Sequence, residues 1–453
     1  MTLSNHFADT RTMPRDSLWL HRDFRLLWAG DTASQFGTFV GRTALPLLAA
    51  TTLAATPLEM GLLTASENAA FLLLGLPAGV WVDRMRRRPL MLRADLARGV
   101  LLLSVPLAWW AGVLSLPQLI VVALLVSVCT LFFDIAYQSY LPSLVGRSRL
   151  VEGNGKLQVS QSVAQVSGPG LAGALAQLLG AANAVATVGL SYLGSAALLG
   201  RIRTSEPPPS PRTGIKLRAE VGQGLRFVFG NRHLRAVTAC TASGNFAGGA
   251  FASVEVLFLS RELRLPAAGV GAVLAVAGVG GLLGALSASR WLRRVGQARA
   301  VWLVPLLTWP AHLLVPLAEP GWRVGFAALG LAGFGYGVVV YNVAQVSYRQ
   351  AICPDGLLGR MNASVRFVVW GVLPVGGLLG GVLGEWLGVR ATVWITSVAL
   401  AAAVLWVLCS PLRLLRDIPA DQLLAVTQDS PSSAGDSRAG PQNSPTATQD
   451  SRS

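Results

Sequence analysis

Twelve long apolar runs follow one another along the chain, and this succession constrains the fold more than any other feature. A helix needs about 20 mostly apolar residues to cross a bilayer, and each run has about that length. Only 13% of the residues are charged, against about 25% in soluble domains. We therefore predict an all-α membrane protein. The predicted spans are residues 24–50, 59–82, 90–112, 117–141, 156–180, 183–202, 234–259, 267–289, 299–318, 324–347, 364–387 and 391–411.

Lys and Arg residues lie almost entirely on one side of these spans. With the N-terminus placed in the cytoplasm, 31 of the 37 Lys and Arg residues fall in inner segments. Only four fall in outer loops, namely Arg261, Arg264, Arg323 and Arg390. Because cytoplasmic loops collect Lys and Arg, both termini are predicted to be cytoplasmic. The net charge of +15 is then a topology signal, and no nucleic-acid partner is expected.

The predicted spans form two groups of six. The linker between them begins with a Pro-rich extended spacer and continues as an amphipathic helix of the kind that lies in a membrane interface. The last segment is rich in Ser, Asp, Pro and Gly, which is typical of disorder. The predicted parts are a cytoplasmic N-terminus (1–23), a first half (24–202), a linker (203–233), a second half (234–412) and a cytoplasmic tail (413–453).

A short basic loop between the second and third spans carries the first motif. It reads Gly79-Val-Trp-Val-Asp83-Arg84-Met-Arg86-Arg87-Arg88, and it resembles the loop 2–3 signature of the major facilitator superfamily. Gly79, Asp83, Arg84, Arg87 and Arg88 fit this signature, whereas Arg86 stands where it has a glycine. The resemblance implies a conformational gate, in which Asp83 and Arg84 bridge the two halves on the inner side.

The halves also repeat each other at an offset of 208 to 210 residues. Parallel six-helix repeats related by an axis along the membrane normal describe the major facilitator fold. We therefore predict twelve transmembrane helices in two pseudo-symmetric six-helix halves, with a substrate path between them. The repeated residues are Thr32 and Ser34 with Thr241 and Ser243, Gly61, Trp81 and Arg84 with Gly271, Trp291 and Arg294, and Asn154, Gly173 and Gly180 with Asn362, Gly381 and Gly388.

Ionisable residues inside the spans are costly in lipid, so each one is expected to pair or to line a cavity. Counting from the hairpin turns places Arg42 at the depth of Glu67, in the outer half, and Asp95 at the depth of Asp134, in the inner half. Arg98 lies one turn from Asp95 on the same helix face. Two interpretations stay open for these groups. They are structural ion pairs, or one acid alternates between a proton and the substrate.

Asp31 is the first candidate for this proton carrier because the sequence shows no local partner for it, and Glu67 and Asp134 follow. Glu255 is the main interior acid of the second half, and it is either a gate residue or a cap at the outer end. The candidate residues of the proton-coupling or substrate path are Asp31, Gln35, Arg42, Glu67, Asn68, Asp95, Arg98, Asp134 and Glu255.

The fifth span contains a Gly-Pro pair among further glycines. Proline kinks a helix and glycine allows a neighbouring helix to approach closely, so a kinked packing helix is one interpretation. The segment also resembles the antiporter signature of helix 5. Gly155, Gly168, Pro169 and Gly173 fit, Gly170 extends the small-residue face, and Ala164 and Ala172 replace glycines of the signature.

Several further motifs resemble the drug:proton antiporter branch that includes macrolide and enterobactin exporters. The resemblance implies proton-coupled export of amphipathic small molecules by alternating access. One departure is that the fourth span has no arginine, so the site of the coupling proton stays open, with Arg98 or Arg42 as substitutes. The motifs are Phe133-Asp134-Ile-Ala136, Tyr140-Leu-Pro142, Leu150-Val-Glu-Gly-Asn154, Gly168-Pro169, Arg349-Gln350 and Gly359-Arg360.

No pattern for an enzyme, a nucleotide site or a metal site is present in the sequence. No cofactor is expected, and the proton gradient is the predicted energy source. The predicted partners are a small-molecule substrate and the lipid bilayer of the cell membrane, and the chain is expected to be a monomer. The four cysteines are predicted to be free thiols, and His312 is predicted to be a packed, hydrogen-bonding residue. The alternatives are an uptake permease or symporter for a metabolite, and a non-transporting membrane scaffold.

Overall fold

The structure is a computed structural model that describes residues 18–146, 149–204, 206, 217–353 and 357–417. Every regular element in these ranges is helical. A π-helix (Phe258–Glu262) continues α8, and a 3-10 helix (Trp309–Leu317) continues α10. The α-helices are α1 (Arg22–Thr51), α2 (Pro57–Asp83), α3 (Arg87–Trp110), α4 (Leu116–Val145), α5 (Leu150–Leu179), α6 (Ala181–Gly200), α7 (Leu217–Gly230), α8 (Arg232–Leu257), α9 (Ala267–Val295), α10 (Gln297–Thr308), α11 (Val324–Ala351), α12 (Leu358–Leu387), α13 (Val389–Ala402) and α14 (Leu405–Leu408).

Each predicted span lies on one of these helices or on a helix with its continuation. In the described part of the chain, eight helical segments are long and apolar enough to cross a membrane. The other four, α1, α2, α3 and α5, have 24 to 30 residues, which is also sufficient length. Helices satisfy their own backbone hydrogen bonds, which lipid cannot do. The predicted all-α membrane fold is therefore confirmed.

One helix boundary differs from the prediction in a way that affects the site. The eleventh span was expected to begin at residue 364, but α12 begins at Leu358. Arg366, which the predicted span already includes, therefore has more than two turns of α12 on its N-terminal side. The apolar composition that defines a span begins later than the helix itself.

Matching turns in the two halves show the repeat. Gly180 separates α5 from α6, and Gly388 separates α12 from α13. Their φ angles are +85° and +88°, a left-handed conformation that only glycine adopts without strain. The repeated glycines of the sequence therefore form the same tight turn in each half.

The bundle has two ends that differ in charge. The arginine-rich end holds the loop at 84–86, the C-terminus of α6, the N-terminus of α8 and the turn at Gly296. The arginine-poor end holds the turns between α1 and α2, between α8 and α9, and at Gly388. Three predicted parts lie outside the described residues, namely residues 1–17, most of the Pro-rich spacer and the tail beyond Asp417.

The linker helix packs on the second half. α7 lies at the position of the predicted amphipathic helix and runs along α12 and α8. Its Gly224 is so close to α12 that an added Cβ would lie 2.5 Å from the Arg360 carbonyl oxygen. Gln223 accepts a hydrogen bond from Arg360 Nη1 at 2.9 Å. The C-terminal part of the linker is thereby attached to α12.

Two symmetric glycine contacts join the halves near the arginine-poor end. A Cβ added to Gly61 of α2 would lie 2.8 Å from Gly381 Cα of α12, and one added to Gly173 of α5 would lie 2.8 Å from Gly271 Cα of α9. Gly61 and Gly271 are repeat equivalents, as are Gly173 and Gly381. The sequence repeat thus appears in the structure as one backbone contact used twice. We call these two contacts the glycine clasps.

Hydrogen bonds reinforce this closure at the same end. Leu58 N donates to Glu385 Oε2 at 3.3 Å, and Arg261 Nη2 donates to the Ala50 carbonyl oxygen at 3.0 Å. Each bond joins an element of one half to an element of the other. The arginine-poor end is therefore closed in this structure.

Candidate functional site

A buried ion pair lies inside the first half. Asp95 and Arg98, one turn apart on α3, form this pair, and their side chains are 0% and 1% exposed. Ser195 of α6 donates its hydroxyl to the second Asp95 oxygen at 2.6 Å. The carboxylate therefore has partners for both oxygens, as a buried charge requires.

The arginine of this pair also contacts α1, α4 and α6. It donates to Ser34 Oγ of α1 at 3.2 Å and to Thr130 Oγ1 of α4 at 3.3 Å. The rings of Phe133 and Tyr192 lie 4.4 and 4.3 Å from the guanidinium carbon, within cation–π range. These contacts favour the structural interpretation of Asp95 and Arg98, because they hold four helices together.

Replacing Arg98 with methionine is expected to destabilise the protein, because it leaves the Asp95 charge buried without its partner. Breaking a buried pair costs about 3–5 kcal/mol, which corresponds to a melting temperature lower by about 10 °C. Tryptophan fluorescence on heating measures this. The double variant Asp95→Leu with Arg98→Met is the control, and it should recover much of the loss because no lone charge remains. An unchanged melting temperature for Arg98→Met would contradict the structural role.

Asp31 lies in α1 close to this pair and is 1% exposed. The sequence indicated no local partner for Asp31, but the structure shows one, so this prediction was wrong. Gln35, one turn later, donates Nε2 to Asp31 Oδ1 at 3.4 Å, and Tyr137 of α4 lies within hydrogen-bonding reach. Spacing of i and i+4 on a helix makes such a pair. Asp31 is therefore a packed carboxyl between α1 and α4.

Arg42 and Glu67, which were expected to share a depth, are within electrostatic reach of each other. They do not form an ion pair within the described ranges. Arg42 is exposed and lies over the Phe39 ring, 5.5 Å from its centroid. Glu67 is half-buried, and its Oε1 is buried without a hydrogen-bond partner. Asn68 donates Nδ2 to the Thr64 carbonyl oxygen, so it does not provide that partner.

Asp134 is half-buried in α4 and forms no hydrogen bond or ion pair within the part of the chain that the structure describes. Arg98 has the strongest electrostatic effect on it, and Arg42 of the first half and Arg366 of the second half also lie within electrostatic reach. Arg366 is exposed on α12. Arg366 lies near the start of the predicted eleventh span, but it was not among the residues predicted for the site.

Aromatic contacts show that α4 and α12 both pack against α2. Phe71 of α2 stacks on Trp370, one turn from Arg366 on α12, with centroids 5.3 Å apart. Trp81 of α2 stacks on Phe132, two residues before Asp134 on α4, with centroids 6.2 Å apart. α2 therefore lies between α4 and α12. It brings together charges from opposite halves that no sequence spacing relates.

Glu255 lies near the end of α8, toward the arginine-poor end, and is half-buried. Glu262, at the end of the π-helix that follows α8, forms an ion pair with Arg390 at 3.5 Å. Arg390 also donates to the carbonyl oxygens of Pro316 and Ala318. Glu255 has no such partner among the described residues. It is separate from the group around Asp134.

The glycines of α5 contact two different helices. A Cβ on Gly168 would lie 2.6 Å from Phe39 Cβ of α1, whereas Gly173 meets Gly271 of α9. The Pro169 carbonyl oxygen lies 2.5 Å from the Cβ position of Gly271, and Gly170 faces Ala275 at 3.5 Å. Gly155 has open space around it. Most of this motif is therefore a packing surface, on which α5 meets α1 and, across the halves, α9.

The basic loop between α2 and α3 is attached to the start of the linker. The backbone N–H groups of Arg87 and Arg88 donate to the two oxygens of Glu206 at 2.8 and 3.2 Å. Arg88 also donates to the carbonyl oxygens of Leu199 and Gly200 at the end of α6. Glu206 thus caps the N-terminus of α3, a favourable place for an anion. Arg84 is exposed, Gly79 has open space around it, and the side chain of Asp83 lies outside the described residues.

Asp23, at the start of α1, holds the same segment. It accepts hydrogen bonds from Arg203 N at 3.1 Å, Thr204 N at 2.8 Å and Thr204 Oγ1 at 2.5 Å. Burial raises the pKa of Asp23, but the hydrogen bonds from Thr204 and Arg203 outweigh this and hold the pKa below its usual range. Arg203, Thr204 and Glu206 are therefore attached to the first half, whereas α7 is attached to the second.

No group of three or more potential metal ligands lies together among the described residues. His312 bonds Ser397 Oγ at 2.8 Å and contacts the rings of Phe251 and Phe334. This confirms its prediction as a packed residue. None of the four cysteines, all within the described ranges, forms a disulfide.

Comparisons with known proteins agree with this architecture. A family model described as transmembrane secretion effector matches residues 19–441. The multidrug efflux pump Tap of Mycobacterium tuberculosis (strain ATCC 25618 / H37Rv) is 29% identical over 343 residues, which are 70% of this chain and 76% of Tap. The enterobactin exporter EntS of Escherichia coli O1:K1 is 26% identical over 293 residues, which are 63% of this chain and 67% of EntS.

Solved structures show the same fold at lower identity. The nucleoside transporter NupG matches with a TM-score of 0.70 at 11% identity. The match covers 85% of this chain and 99% of NupG. At this identity the likeness extends to the helical arrangement alone.

Proposed function

The chain belongs to the transmembrane secretion effectors of the major facilitator superfamily, and we propose that it exports amphipathic small molecules from the cytoplasm in exchange for protons. It is a multi-pass membrane transporter and not an enzyme. Similarity to a multidrug efflux pump and to an enterobactin exporter supports export. It also supports drugs, macrolide-like compounds or siderophores as the substrate class.

The observation that carries proton coupling is the environment of Asp134. A half-buried carboxylate without a hydrogen-bond partner, placed in a membrane helix, is costly unless it faces water or meets an opposite charge. Arg42 and Arg366 lie within reach of it from opposite halves. In our proposal, the ionised Asp134 attracts Arg42 and Arg366 in addition to Arg98, and a proton on it releases Arg42 and Arg366. This provides the coupling that an arginine in the fourth span was expected to supply.

Within this proposal, the closed arginine-poor end indicates which conformation of the transport cycle the structure represents. Because cytoplasmic loops collect Lys and Arg, the arginine-rich end faces the cytoplasm. The glycine clasps then close the outer side, and the substrate path communicates with the cytoplasm. In the opposite state the clasps separate, and the loop at 84–88 closes the inner side, where Asp83 and Arg84 bridge the halves.

The central test measures export with and without a proton gradient. Cells that express the chain should accumulate dyes, macrolides or siderophores several-fold less than cells that lack it, and a protonophore should abolish the difference. Asp134→Asn should remove proton-driven export while surface expression stays normal, and Glu67→Gln and Asp31→Asn test the two other acids that the sequence predicted as proton carriers. The matched control is Glu319→Gln, because Glu319 is exposed at the arginine-poor end.

The outcomes separate the proposal from its alternatives. Export that persists after the gradient collapses would exclude proton coupling. Accumulation in right-side-out vesicles, instead of in inverted ones, would establish an uptake permease. Absence of any transport by a folded chain across the panel would favour a scaffold.

A further inference from the structure

Arg349, near the end of α11, is a buried arginine with no described counter-charge. Arg349 is only 7% exposed, and its Nε atom is buried without a hydrogen-bond acceptor. Arg98, the other buried arginine described above, has a carboxylate, two hydroxyls and two aromatic rings around it. Buried charges in proteins are paired or bind a ligand. Arg349 therefore lacks a partner that its burial requires.

The neighbours of Arg349 on the same helix face also have unused polar atoms. Gln345 and Tyr348 are 4% and 0% exposed, and Gln345 Oε1 and the Tyr348 hydroxyl have no partner. Spacings of i, i+3 and i+4 place these side chains beside one another. His233 of α8 meets Tyr348 with ring centroids 6.5 Å apart, and its Nδ1 is buried and unpartnered. We call Arg349, Gln345, Tyr348 and His233 the α8–α11 polar cluster.

No acid whose side chain is described is placed to neutralise the cluster. The described acids of the second half lie toward the arginine-poor end, except Asp417. Asp417 accepts from Gln297 N at 3.0 Å and pairs with Arg416. In addition, the exposed Arg232 and Arg235 lie in the first turns of α8, beside His233. The positive end of a helix dipole adds to their field.

We propose that the α8–α11 polar cluster binds an anionic oxygen group of the phosphate type. The guanidinium of Arg349 and the hydroxyl of Tyr348 donate to it, and Arg232 and Arg235 attract it from the arginine-rich surface. A phosphate can accept two parallel N–H···O hydrogen bonds from the planar guanidinium of an arginine. Such a group comes either from the headgroup of an acidic lipid or from a free phosphate. Basic pockets between membrane helices hold lipid headgroups in this way.

The test measures the melting temperature of the purified full chain in detergent. Three probes are added separately: dioleoylphosphatidylglycerol, dioleoylglycerol with the same tails and no phosphate, and inorganic phosphate. We expect a rise of about 4 °C with the anionic probe that binds, and none with dioleoylglycerol. A rise with phosphatidylglycerol alone identifies a lipid headgroup. A rise with inorganic phosphate as well identifies a site for free phosphate.

Variants connect this rise to the cluster. Arg349→Gln should abolish it and Arg349→Lys should retain part of it, whereas Arg413→Gln, an exposed arginine at the same end, should leave it intact. If Arg349→Gln does not fold, Tyr348→Phe removes one donor only and should reduce the rise. The proposal is overturned if no anionic probe exceeds dioleoylglycerol, or if Arg349→Gln keeps the full rise. It is also overturned if, without any probe, Arg349→Gln and Asp355→Asn (a residue outside the described ranges) each lower the melting temperature and do so non-additively. Asp355 would then be the partner.

Discussion

Replacing Gly61 with leucine is expected to abolish transport and leave a folded protein held open at the arginine-poor end. A Cβ at this position would lie 2.8 Å from both the Gly377 carbonyl oxygen and Gly381 Cα, and a leucine adds three more carbons. Overpacking of a tight contact costs about 1–3 kcal/mol, which shifts a two-state equilibrium by about 5- to 150-fold. In the proposed transport cycle the clasp separates when the arginine-poor end opens, so the whole cost falls on the closed state.

Spin labels at Thr52 and Trp386, exposed residues of opposite halves at this end, measure the opening as a longer distance. Gly271→Leu should have the same effect, because it blocks the symmetric clasp. The matched control is Gly75→Leu on the same helix as Gly61, since an added Cβ there meets no atom within 4 Å. Normal transport by Gly61→Leu, or equal damage from Gly75→Leu, would contradict the role of the clasp.

Reversing the charge of Asp134 or of Arg366 is expected to lower proton-coupled transport by at least about tenfold. The single variants Asp134→Arg and Arg366→Asp each replace an attraction across the halves by a repulsion, which disfavours any state that brings α4 and α12 together. The double variant restores the attraction with the signs exchanged. It should therefore recover part of the activity, as expected for groups that interact directly.

Proton movement in vesicles, followed with a pH-sensitive dye during substrate efflux, measures this coupling. Asp134→Asn mimics the protonated acid permanently, so substrate should still bind while proton movement is lost. Arg413→Asp is the control for a charge reversal at the arginine-rich surface. Equal loss in the single and double variants, without recovery, would show that Asp134 and Arg366 act independently.

The depth of a residue within the bundle could be predicted from the sequence, but the direction in which its side chain points around the helix axis could not. Counting from the turns placed Arg42 level with Glu67, and the two are within electrostatic reach. Whether they pair depends on the direction of each side chain, which changes by about 100° per residue on a helix. Arg42 instead lies over Phe39. The i and i+3 pair of Asp95 and Arg98 was predictable because it lies within one helix.

The sequence alone determined the succession of helices, the segregation of arginines to one end and the twofold repeat. These follow from local causes, since a backbone in lipid must bond to itself and each apolar run has the length of a bilayer. Only the tertiary structure decided which charges meet. Arg366 lies within electrostatic reach of Asp134 because α2 packs against both α4 and α12, and Glu206 caps α3 because the start of the linker lies on the first half. Such contacts depend on how helices distant in sequence pack, which no spacing along the chain encodes.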